Sequence, residues 1–309
     1  MIPIIYDGDP GHDDAIAMLM AKASGNLDVL AVTTCCGNQT IEKTTYNAQR
    51  VCTLIGLNVP IGMGQAHPLF SKPMTAPNIH GQSGLDGPKL PEPEVGLSPL
   101  RAVELMAKTL REAERPVTVV STGPLTNTAA LLLTHPELKN KIERISLMGG
   151  GVAHGNWTPA AEFNILVDPE AADIVFSSGV PIVMAGLDVT EQALIYEEDF
   201  DRIRAVGGEI ARVVAEWLDY FYQFHRSIGY PGAPLHDPCA VAYLIAPELF
   251  LYEDYYVRID KRGEFTRGAT IADVNRQTGH APNARCLMGI DREGFVSLLT
   301  ESVRRLSHG

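Results

Sequence analysis

The fold is decided by the stretch Asp7-Gly8-Asp9-Pro10-Gly11-His12-Asp13-Asp14-Ala15, which places four carboxylates within eight positions. The apolar run 2–6 before it indicates a buried strand, and the good helix formers that continue to about Ala23 indicate a helix. Pro10 and Gly11 form the turn between the two elements. The carboxylates therefore crowd the carboxyl end of a first strand, where open α/β sheets bind ligands.

Four like charges this close together repel one another, and the amino end of a helix compensates only part of that charge. Carboxylate oxygens suit hard divalent cations such as Ca²⁺ or Mg²⁺ and not Zn²⁺. The acidic stretch therefore indicates a metal site. The alternative is a solvated acidic helix cap without a metal, which is the usual explanation of an isolated Asp-Asp pair.

Composition limits the classes of function. The 309 residues are 45% hydrophobic, enough for a large core, and a net charge of −12 makes nucleic acid a poor partner. The first residues lack the pattern of a signal peptide, and no apolar run reaches the length of a membrane span. Five cysteines without C-x-x-C spacing argue against a disulfide framework. We therefore expect a soluble cytoplasmic protein with no nucleic-acid or membrane partner.

Predicted strands and helices alternate along the chain. After the first strand, the pattern predicts strands at 27–34, 59–61, 117–121, 145–148 and 180–185. The alternation predicts an α/β fold with a mostly parallel central sheet flanked by helices and joined by right-handed crossovers. No linker or internal repeat divides the chain, so we expect residues 1–309 to form a single domain.

Three further features of the sequence predict a helix start, a hairpin and a long loop. Ser98 with Pro99 is typical of a helix start, and residues 255–259 and 264–270 are predicted to form a hairpin around a turn at 261–263. The stretch 65–96 contains six prolines and two histidines. A loop of this length is usually a functional lid or a disordered tract.

Polar residues recur where the predicted strands end or a later helix begins. They are Asn38, Thr122, Asn156, Glu162, Asn164, His236 and Asp237. Each alone has a structural explanation: Asn38 could hold a turn, Asp237 before Pro238 could cap a helix, and His236 could be an ordinary partly buried histidine. Because the strand ends lie along one rim of the sheet, their recurrence instead indicates a common site.

The opening stretch resembles the D-x-D-P-G-x-D-D-A signature of the inosine–uridine type nucleoside hydrolases. The resemblance continues, in the right order, through Gly37-Asn38, His80-Gly81, Ser121 to Asn127, Leu147 to Gly150, Ala161-Glu162-Phe163-Asn164 and His236-Asp237-Pro238. It covers essentially the whole chain. The resemblance implies a Rossmann-like core, hydrolysis of the N-glycosidic bond of ribonucleosides, one bound Ca²⁺ and a homo-oligomer, either a tetramer or a dimer.

The resemblance also assigns roles around the metal. It implies that Ca²⁺ is bound by the side chains of Asp9, Asp14 and Asp237 and by the backbone carbonyl of Thr122. It implies that Asp13 is the base that activates the attacking water. Side-chain type alone could not have indicated Thr122, because a carbonyl ligand leaves no mark on the sequence.

Around the substrate, the resemblance implies a ribose side and a nucleobase side. The implied residues are Asn38, Met148, Asn156, Glu162 and Asn164 for the ribose side, and His80, Phe221, His225 and His236 for the nucleobase side. Phe163 is a further implied substrate-binding residue. His236 is expected to protonate the leaving base, with His80 and His225 as the alternatives that stay open. Phe221 and His225 occupy positions where relatives carry tyrosines, so the preference for purines or pyrimidines stays open; a core stripe at helical spacing is the alternative for Phe221.

These residue types suit the chemistry. Cleavage of a C1′–N bond builds oxocarbenium-like positive charge on the ribose, and carboxylates around the sugar stabilise that charge. Ca²⁺ can orient the ribose hydroxyls and a water molecule. The nucleobase is a poor leaving anion, and histidine is suited to giving it a proton near neutral pH.

Two other functions compete with this prediction. Asp7-Gly8-Asp9 after a first strand is also typical of a haloacid-dehalogenase-like phosphatase, although no well-placed lysine accompanies it. A non-catalytic Ca²⁺-binding module is the other alternative. The oxygen ligands are scattered along the chain and not gathered in an EF-hand loop, which favours an enzyme.

Overall fold

The computed structural model describes residues 1–308, which contain twelve strands, twelve α-helices and two short 3-10 helices. The strands are β1 (Ile2–Gly8), β2 (Leu27–Thr34), β3 (Ile61–Met63), β4 (Val117–Ser121), β5 (Ile142–Met148), β6 (Ile182–Ala185), β7 (Leu194–Ile195), β8 (Ala233–Pro234), β9 (Phe250–Tyr255), β10 (Val257–Ile259), β11 (Thr270–Ala272) and β12 (Ala284–Ile290). The helices are α1 (His12–Ala23), α2 (Ile41–Leu54), α3 (Pro77–His80), α4 (Ala102–Glu112), α5 (Thr126–Thr134), α6 (Phe163–Val167), α7 (Pro169–Phe176), α8 (Leu187–Thr190), α9 (Glu197–Arg204), α10 (Gly208–Ser227), α11 (Asp237–Ile245) and α12 (Arg292–His308).

Eight strands form the central sheet in the order β3-β2-β1-β4-β5-β6-β12-β9. All neighbouring pairs run parallel except β12 with β9, which is an antiparallel edge. The prediction of a mostly parallel α/β sheet is therefore confirmed. The strand order reverses between β1 and β4, because β2 and β3 are added on one side of β1 and β5 and β6 on the far side of β4. The loops after β1 and β4 therefore flank a crevice at the carboxyl edge of the sheet.

The two faces of the sheet bury separate cores. Ile4 and Tyr6 of β1 belong to a core formed with α1, α10, α11 and α12, whereas Ile5 belongs to a core formed with α4, α5 and α7. This division follows from the alternation of side chains along a strand. Helices therefore cover both faces, and the edge of the sheet remains available for a site.

Several predicted boundaries agree with the structure and others do not. Strands β2 and β4 have the predicted bounds, but β3 begins at Ile61 and β5 begins three residues before its predicted start. The edge strand β9 was not predicted, because the middle four of its six side chains are exposed and carry no buried alternation. Its neighbour β12 was missed as well.

The predicted hairpin is present, but its second strand lies later in the sequence than predicted. Strand β10 pairs with β11, which begins at Thr270, so the prediction of a strand at 264–270 was wrong. The carboxylate of Asp260 accepts hydrogen bonds from the backbone of Arg262 and Gly263 and from the hydroxyl of Thr266. These bonds hold the intervening residues in turns.

Ser98 does not cap a helix. Its hydroxyl accepts a hydrogen bond from the backbone of Leu100 at 3.1 Å, and its own N–H donates to Ile61 beside β3. Helix α4 begins later, at Ala102. The Ser-Pro pair is therefore part of the connection between β3 and α4.

The proline-rich stretch 65–96 is an ordered loop that packs along α2. Side chains of α2 or the residues just before it donate to its backbone: Gln39 to Gly81 and Asn47 to Ser83, both at 2.9 Å, and Gln49 to Val95 at 2.8 Å. The loop contains α3, which ends at His80. Within residues 1–308, no helix is both long enough and apolar enough to cross a membrane.

Candidate active site

Carboxylates from three parts of the chain meet at the carboxyl edge of the sheet. We call Asp9, Asp13, Asp14 and Asp237 the acid cluster. Asp13 and Asp14 lie in the first turn of α1, and Asp237 is the first residue of α11, which packs against α1. One oxygen from each of these three lies within 4.8 Å of the other two. Asp9, in the turn after β1, lies outside that group of three.

Asp14 is the most firmly held member of the acid cluster. Its Oδ1 accepts from the hydroxyl of Thr122 at 2.7 Å, and its Oδ2 accepts from the backbone of Gly11 at 3.0 Å and from the amide of Asn38 at 3.2 Å. The hydroxyl of Tyr6 lies 3.3 Å from Oδ1. These donors come from three strand-end loops and from β1, so they fix the carboxylate relative to the sheet.

Two oxygens of the acid cluster lack a partner. Asp9 Oδ1 and Asp13 Oδ1 are buried and receive no hydrogen bond from residues 1–308. Burial, followed by the charge of Asp14, raises the pKa of Asp13 to about 7. The same two causes raise the pKa of Asp9 well above its ordinary range. Unpartnered buried oxygens with such pKa shifts need an added positive charge or added protons.

The donor set of the acid cluster fits a hard divalent cation. Its free oxygens belong to carboxylates, and no histidine or cysteine of residues 1–308 joins the group of three acids. Oxygen ligands of this kind suit Ca²⁺ or Mg²⁺. The cluster could therefore hold a metal ion, which would supply the missing charge.

Asp7, the remaining acid of the opening stretch, has a structural role. Its Oδ1 accepts from the hydroxyl of Thr33 at 2.7 Å and from the amide of Asn127 at 2.8 Å. Asp7 lies near the end of β1, Thr33 near the end of β2, and Asn127 in α5, the helix that follows β4. Asp7 therefore joins the ends of the three strands below the acid cluster.

Glu162 organises the wall beside the acid cluster. It caps α6, with Oε1 accepting from the backbone of Asn164 at 2.9 Å and Oε2 accepting from Gly150 at 2.9 Å and Ile165 at 3.2 Å. Gly150 adopts a φ of 76°, which glycine accepts without strain. Burial raises the pKa of Glu162 to about 7 despite these hydrogen bonds.

Asn156, Asn164 and Met148 complete this wall. Asn164 Nδ2 donates to the carbonyl of Thr122 at 2.8 Å and lies 3.5 Å from the sulfur of Met148. Asn156 Oδ1 accepts from the backbone of Phe163 at 3.1 Å. The amides are therefore fixed by backbone groups, and Thr122 presents its carbonyl to the same corner.

A cavity of about 360 Å³ opens above the acid cluster. Thirteen of the fifteen predicted site residues line it: Asp13, Asn38, His80, Thr122, Met148, Asn156, Glu162, Phe163, Asn164, Phe221, His225, His236 and Asp237. The other two, Asp9 and Asp14, are fully buried beneath it. The structure thus brings the predicted residues to one place, while their individual roles stay predictions.

The wall opposite the carboxylates is aromatic. Phe221 lies 5.5 Å from His80 and 4.4 Å from His225, measured between ring centroids, and His236 lies 6.2 Å from His225. Burial lowers the pKa of His225 to about 4, and burial together with the charge of His225 lowers the pKa of His236 to about 3. Burial also lowers the pKa of His80 well below its usual range. All three rings are therefore neutral at pH 7.

The sequence pattern of the family described as inosine-uridine preferring nucleoside hydrolase matches residues 4–297. The chain belongs to this family. The enzyme is 54% identical over 306 residues to the pyrimidine-specific ribonucleoside hydrolase RihA of Escherichia coli O1:K1, covering 98% of each chain.

Two solved structures have the same fold. A purine-preferring ribonucleoside hydrolase from Gardnerella vaginalis superposes with a TM-score of 0.92 at 31% identity, covering 99% of each chain. A plant nucleoside hydrolase, PpNRh1, superposes with a TM-score of 0.91 at 30% identity, covering 100% of this chain and 99% of the other. The chain is therefore a ribonucleoside hydrolase, an N-glycosidase, and neither a phosphatase nor a non-catalytic module.

Sequence reasoning missed part of the hydrolase cavity. Its additional lining residues are Ala76, Ile79, Trp157, Glu191, Phe224, Ile228 and Tyr230. Tyr230 donates to Glu191 at 2.6 Å, and Trp157 packs against Phe163 with ring centroids 4.7 Å apart. Phe224 lies on α10 one turn from Phe221, so helical spacing could have indicated it. Trp157, Glu191 and Tyr230 depend on the paths of loops, and no spacing rule links them.

Two more residues stand behind the cavity wall. His12, within the opening stretch, contacts His80, and Thr190 Oγ1 lies 2.8 Å from His236 Nδ1. His12 could have been suspected from its place beside Asp13. Thr190 carries no signal in the sequence, because the end of α8 meets α11 only in the fold.

Proposed function

We propose that the chain is a Ca²⁺-dependent hydrolase that cleaves pyrimidine ribonucleosides to ribose and the free base. The observation that carries the proposal is the position of the acid cluster, which forms the floor of a cavity with one polar and one aromatic wall. A ribonucleoside has the same two-part character. Its ribose would lie on the acid cluster and its base between the aromatic side chains.

The proposed Ca²⁺ ligands are Asp9, Asp14, Asp237 and the carbonyl of Thr122. The free Oδ1 of Asp9 and the buried position of the three acids support this ligand set. The ion would neutralise the repelling carboxylates and orient the ribose hydroxyls together with the attacking water. The amide of Asn164 holds the Thr122 carbonyl at the same corner.

Asp13 is the proposed base for the attacking water. Asp13 lines the cavity, and its Oδ1 receives no hydrogen bond from residues 1–308, so the carboxylate has a free oxygen with which to accept a proton. Asp13 also lies next to the metal ligands, so a water that contacts both groups is within reach.

The ribose is proposed to lie against Asn38, Asn156, Glu162 and Asn164, with Met148 and Phe163 packing beside it. Glu162 is held rigidly by three backbone N–H groups. A carboxylate fixed in a buried site stabilises positive charge on the sugar better than a mobile one, because no reorganisation is needed as the charge develops.

His236 is the proposed proton donor to the leaving base. If the hydroxyl of Thr190 donates to Nδ1, the ring proton lies on Nε2. The ring is neutral in the free cavity because burial lowers its pKa to about 3. To act as an acid the ring takes a second proton from solvent and then donates from Nδ1 to the hydroxyl oxygen of Thr190. Negative charge that develops on the leaving base favours this uptake, and the Nε2 proton passes to the base as the C1′–N bond breaks, which returns the ring to its neutral form.

The preference for pyrimidines is supported by similarity. Relatives at 54% identity over 98% of their length are named pyrimidine-specific, whereas the purine-preferring structure is 31% identical. The residues proposed to contact the base are His80, Phe221 and His225. Phe221 and His225 share a turn of α10, so the identity of this pair shapes one wall of the base site.

We also propose that the enzyme is a homo-oligomer, a tetramer or a dimer, that functions in nucleoside salvage in the cytoplasm. Light scattering coupled to gel filtration gives the number of subunits. A monomer at micromolar concentration would contradict this part of the proposal.

A panel of nucleosides tests the function. Uridine, cytidine, inosine and adenosine are assayed for release of reducing sugar, with and without a chelator, and Ca²⁺ or Mg²⁺ is then added back. We expect ribose release from uridine and cytidine to exceed that from the purine nucleosides and to depend on Ca²⁺. Faster hydrolysis of inosine would contradict pyrimidine preference, and full activity in chelator would contradict the metal.

A further inference from the structure

Glu191, which directly follows α8 and lines the cavity, contacts two separate loops. Its Oε1 accepts a hydrogen bond from the hydroxyl of Tyr230 at 2.6 Å, and its Oε2 lies 3.3 Å from Nε2 of His154. Tyr230 belongs to the loop 228–232 between α10 and β8, whereas His154 belongs to the loop 149–162 between β5 and α6. One carboxylate therefore joins a loop of the aromatic wall to a loop of the polar wall.

The two contacts of Glu191 differ in strength. The side chain of His154 is 47% exposed, against 23% for Glu191, and a contact to so exposed a charge or dipole contributes little in water. The distance of 2.6 Å from the Tyr230 hydroxyl is typical of the short, strong bond between an O–H group and a carboxylate. Burial, followed by the hydrogen bond to Glu191 and the charge of Glu191, raises the pKa of Tyr230 well above its ordinary value, so the phenol stays a donor.

Tyr230 brings this bond to the aromatic wall. Gly229 adopts a φ of 96°, which turns the chain back after α10, and the backbone N–H of Tyr230 donates to the carbonyl of His225 at 3.0 Å. The ring of Tyr230 meets that of His225 edge to face, with centroids 5.6 Å apart and an interplanar angle of 84°. Both side chains line the cavity. The backbone bond fixes where the side chain begins, and the bond to Glu191 fixes where its far end lies.

We propose that Glu191 is a positioning residue that holds the Tyr230 ring against His225 and so completes the aromatic wall of the cavity. The residue before it, Thr190, contacts His236 through its hydroxyl. Two consecutive residues at the end of α8 thus position two side chains of the same wall.

The expected effect on the reaction rests on the proposed function, which places the nucleobase against this wall. A side chain that is already held in place loses little conformational freedom when a ligand packs against it, so the binding of the base is favoured. Glu191 is not proposed to touch the reacting atoms. Its loss should therefore raise KM more than it lowers kcat.

Hydrogen exchange tests the positioning role without a substrate. Full-length enzyme with Ca²⁺ is followed by mass spectrometry, and exchange is measured in peptides that cover residues 228–232. We expect Glu191→Ala and Tyr230→Phe, which remove the same bond from its two ends, to accelerate exchange there by about tenfold, the scale of one hydrogen bond. Glu191→Gln retains an oxygen that accepts from Tyr230 and should stay close to wild type. Unchanged exchange in both Glu191→Ala and Tyr230→Phe overturns the inference whatever the enzyme hydrolyses.

Kinetics with a matched control separate the two contacts of Glu191. We expect Glu191→Ala to raise KM for uridine about tenfold with kcat changed less, and Glu191→Gln to recover most of this loss. His154→Gln removes only the other contact and should keep KM within about twofold of wild type. If His154→Gln raises KM as much as Glu191→Ala does, Glu191 acts through the loop 149–162 and the inference is wrong.

A double variant tests whether Glu191 acts through Tyr230. Tyr230→Phe combined with Glu191→Ala should raise KM no further than either single substitution, because both remove one bond. Multiplied effects would overturn the inference, and so would faster exchange with an unchanged KM for every nucleoside of the panel. A wild-type enzyme that hydrolyses inosine faster than uridine would instead contradict the pyrimidine preference. The variants would then be compared on inosine, so the two proposals fail in different measurements.

Discussion

The side-chain amide of Asn164 lies 2.8 Å from the backbone carbonyl oxygen of Thr122, to which it donates a hydrogen bond. The backbone of Asn164 is held in turn by Glu162. One residue thus ties the polar wall of the cavity to the carbonyl that we propose as a Ca²⁺ ligand. Groups that orient a metal ligand affect both metal affinity and activity.

Asn164→Ala should therefore weaken two properties together. We expect kcat/KM for uridine to fall by about ten- to a hundredfold and Ca²⁺ affinity by on the order of tenfold, because the carbonyl loses its orienting donor. Steady-state kinetics and calorimetric titration with Ca²⁺ give both values. The matched control is Asn156→Ala, whose side chain accepts from Phe163 and has no bond to Thr122. It should lower activity and leave Ca²⁺ affinity unchanged; an equal loss of affinity in both variants would disprove the coupling.

The acid cluster allows a sharper test of metal binding against catalysis. Asp13→Asn should keep Ca²⁺ affinity within about tenfold and lose activity by on the order of a hundredfold to ten-thousandfold, as expected for a lost general base. Asp14→Asn should weaken Ca²⁺ binding itself. Both variants remove one charge from the same turn of α1, so each serves as the control for the other.

The structure supplies a specific rival to that assignment. Asp13, and not Asp9, joins Asp14 and Asp237 in the group of oxygens within 4.8 Å. If Asp13 binds the ion in place of Asp9, Asp13→Asn will lose Ca²⁺ as severely as Asp14→Asn, and Asp9→Asn will not. Titration of the three variants side by side decides between the two ligand sets.

The sequence predicted the parts of the site that depend on local order. The carboxylates of Asp13 and Asp14 lie in the first turn of α1 because strand, turn and helix follow one another along the chain. It could not predict contacts made by approach of distant loops. His12 meets the carbonyl of Asp86, 74 positions away, and Tyr230 meets Glu191. Strand β9 was missed because an exposed edge has no buried alternation to reveal it.

The raised pKa of Glu162 leads to a prediction of how the folding stability of the metal-free enzyme depends on pH. Burial raises its pKa from an ordinary 4.5 to about 7 in the folded state, so the folded chain binds a proton that the unfolded chain has released. Folding stability from this group is therefore present at low pH and is lost as the pH rises through 7. The pKa values of His225 and His236 are lowered, so these residues oppose the trend only below about pH 6.5.

Thermal unfolding of the chelator-treated enzyme between pH 6.5 and 8 checks this prediction. We expect Tm to fall as the pH rises, and Glu162→Gln to flatten the slope while lowering Tm overall, because its amide nitrogen replaces an oxygen that accepts from the backbone. Glu94→Gln, at an exposed glutamate, is the control and should retain the wild-type slope. A wild-type slope in the Glu162 variant would show that Glu162 is ionised throughout this range.

His236 is expected to matter most where the leaving group needs a proton. General acid catalysis contributes on the order of a hundredfold to ten-thousandfold in rate, so His236→Ala should lose most of its activity on uridine. Activity on a nitrophenyl riboside should fall much less, because nitrophenolate leaves without a proton.

His225 is a weaker candidate for the proton donor: its Nδ1 donates to the carbonyl of Phe221 at 3.0 Å, which leaves a lone pair on Nε2. His225→Ala and the double variant therefore serve as controls, and the double variant should resemble His236→Ala on uridine. Parallel loss of kcat on both substrates in His236→Ala, with Ca²⁺ binding intact, would remove His236 from the acid role and leave it only a part in packing or orienting the base.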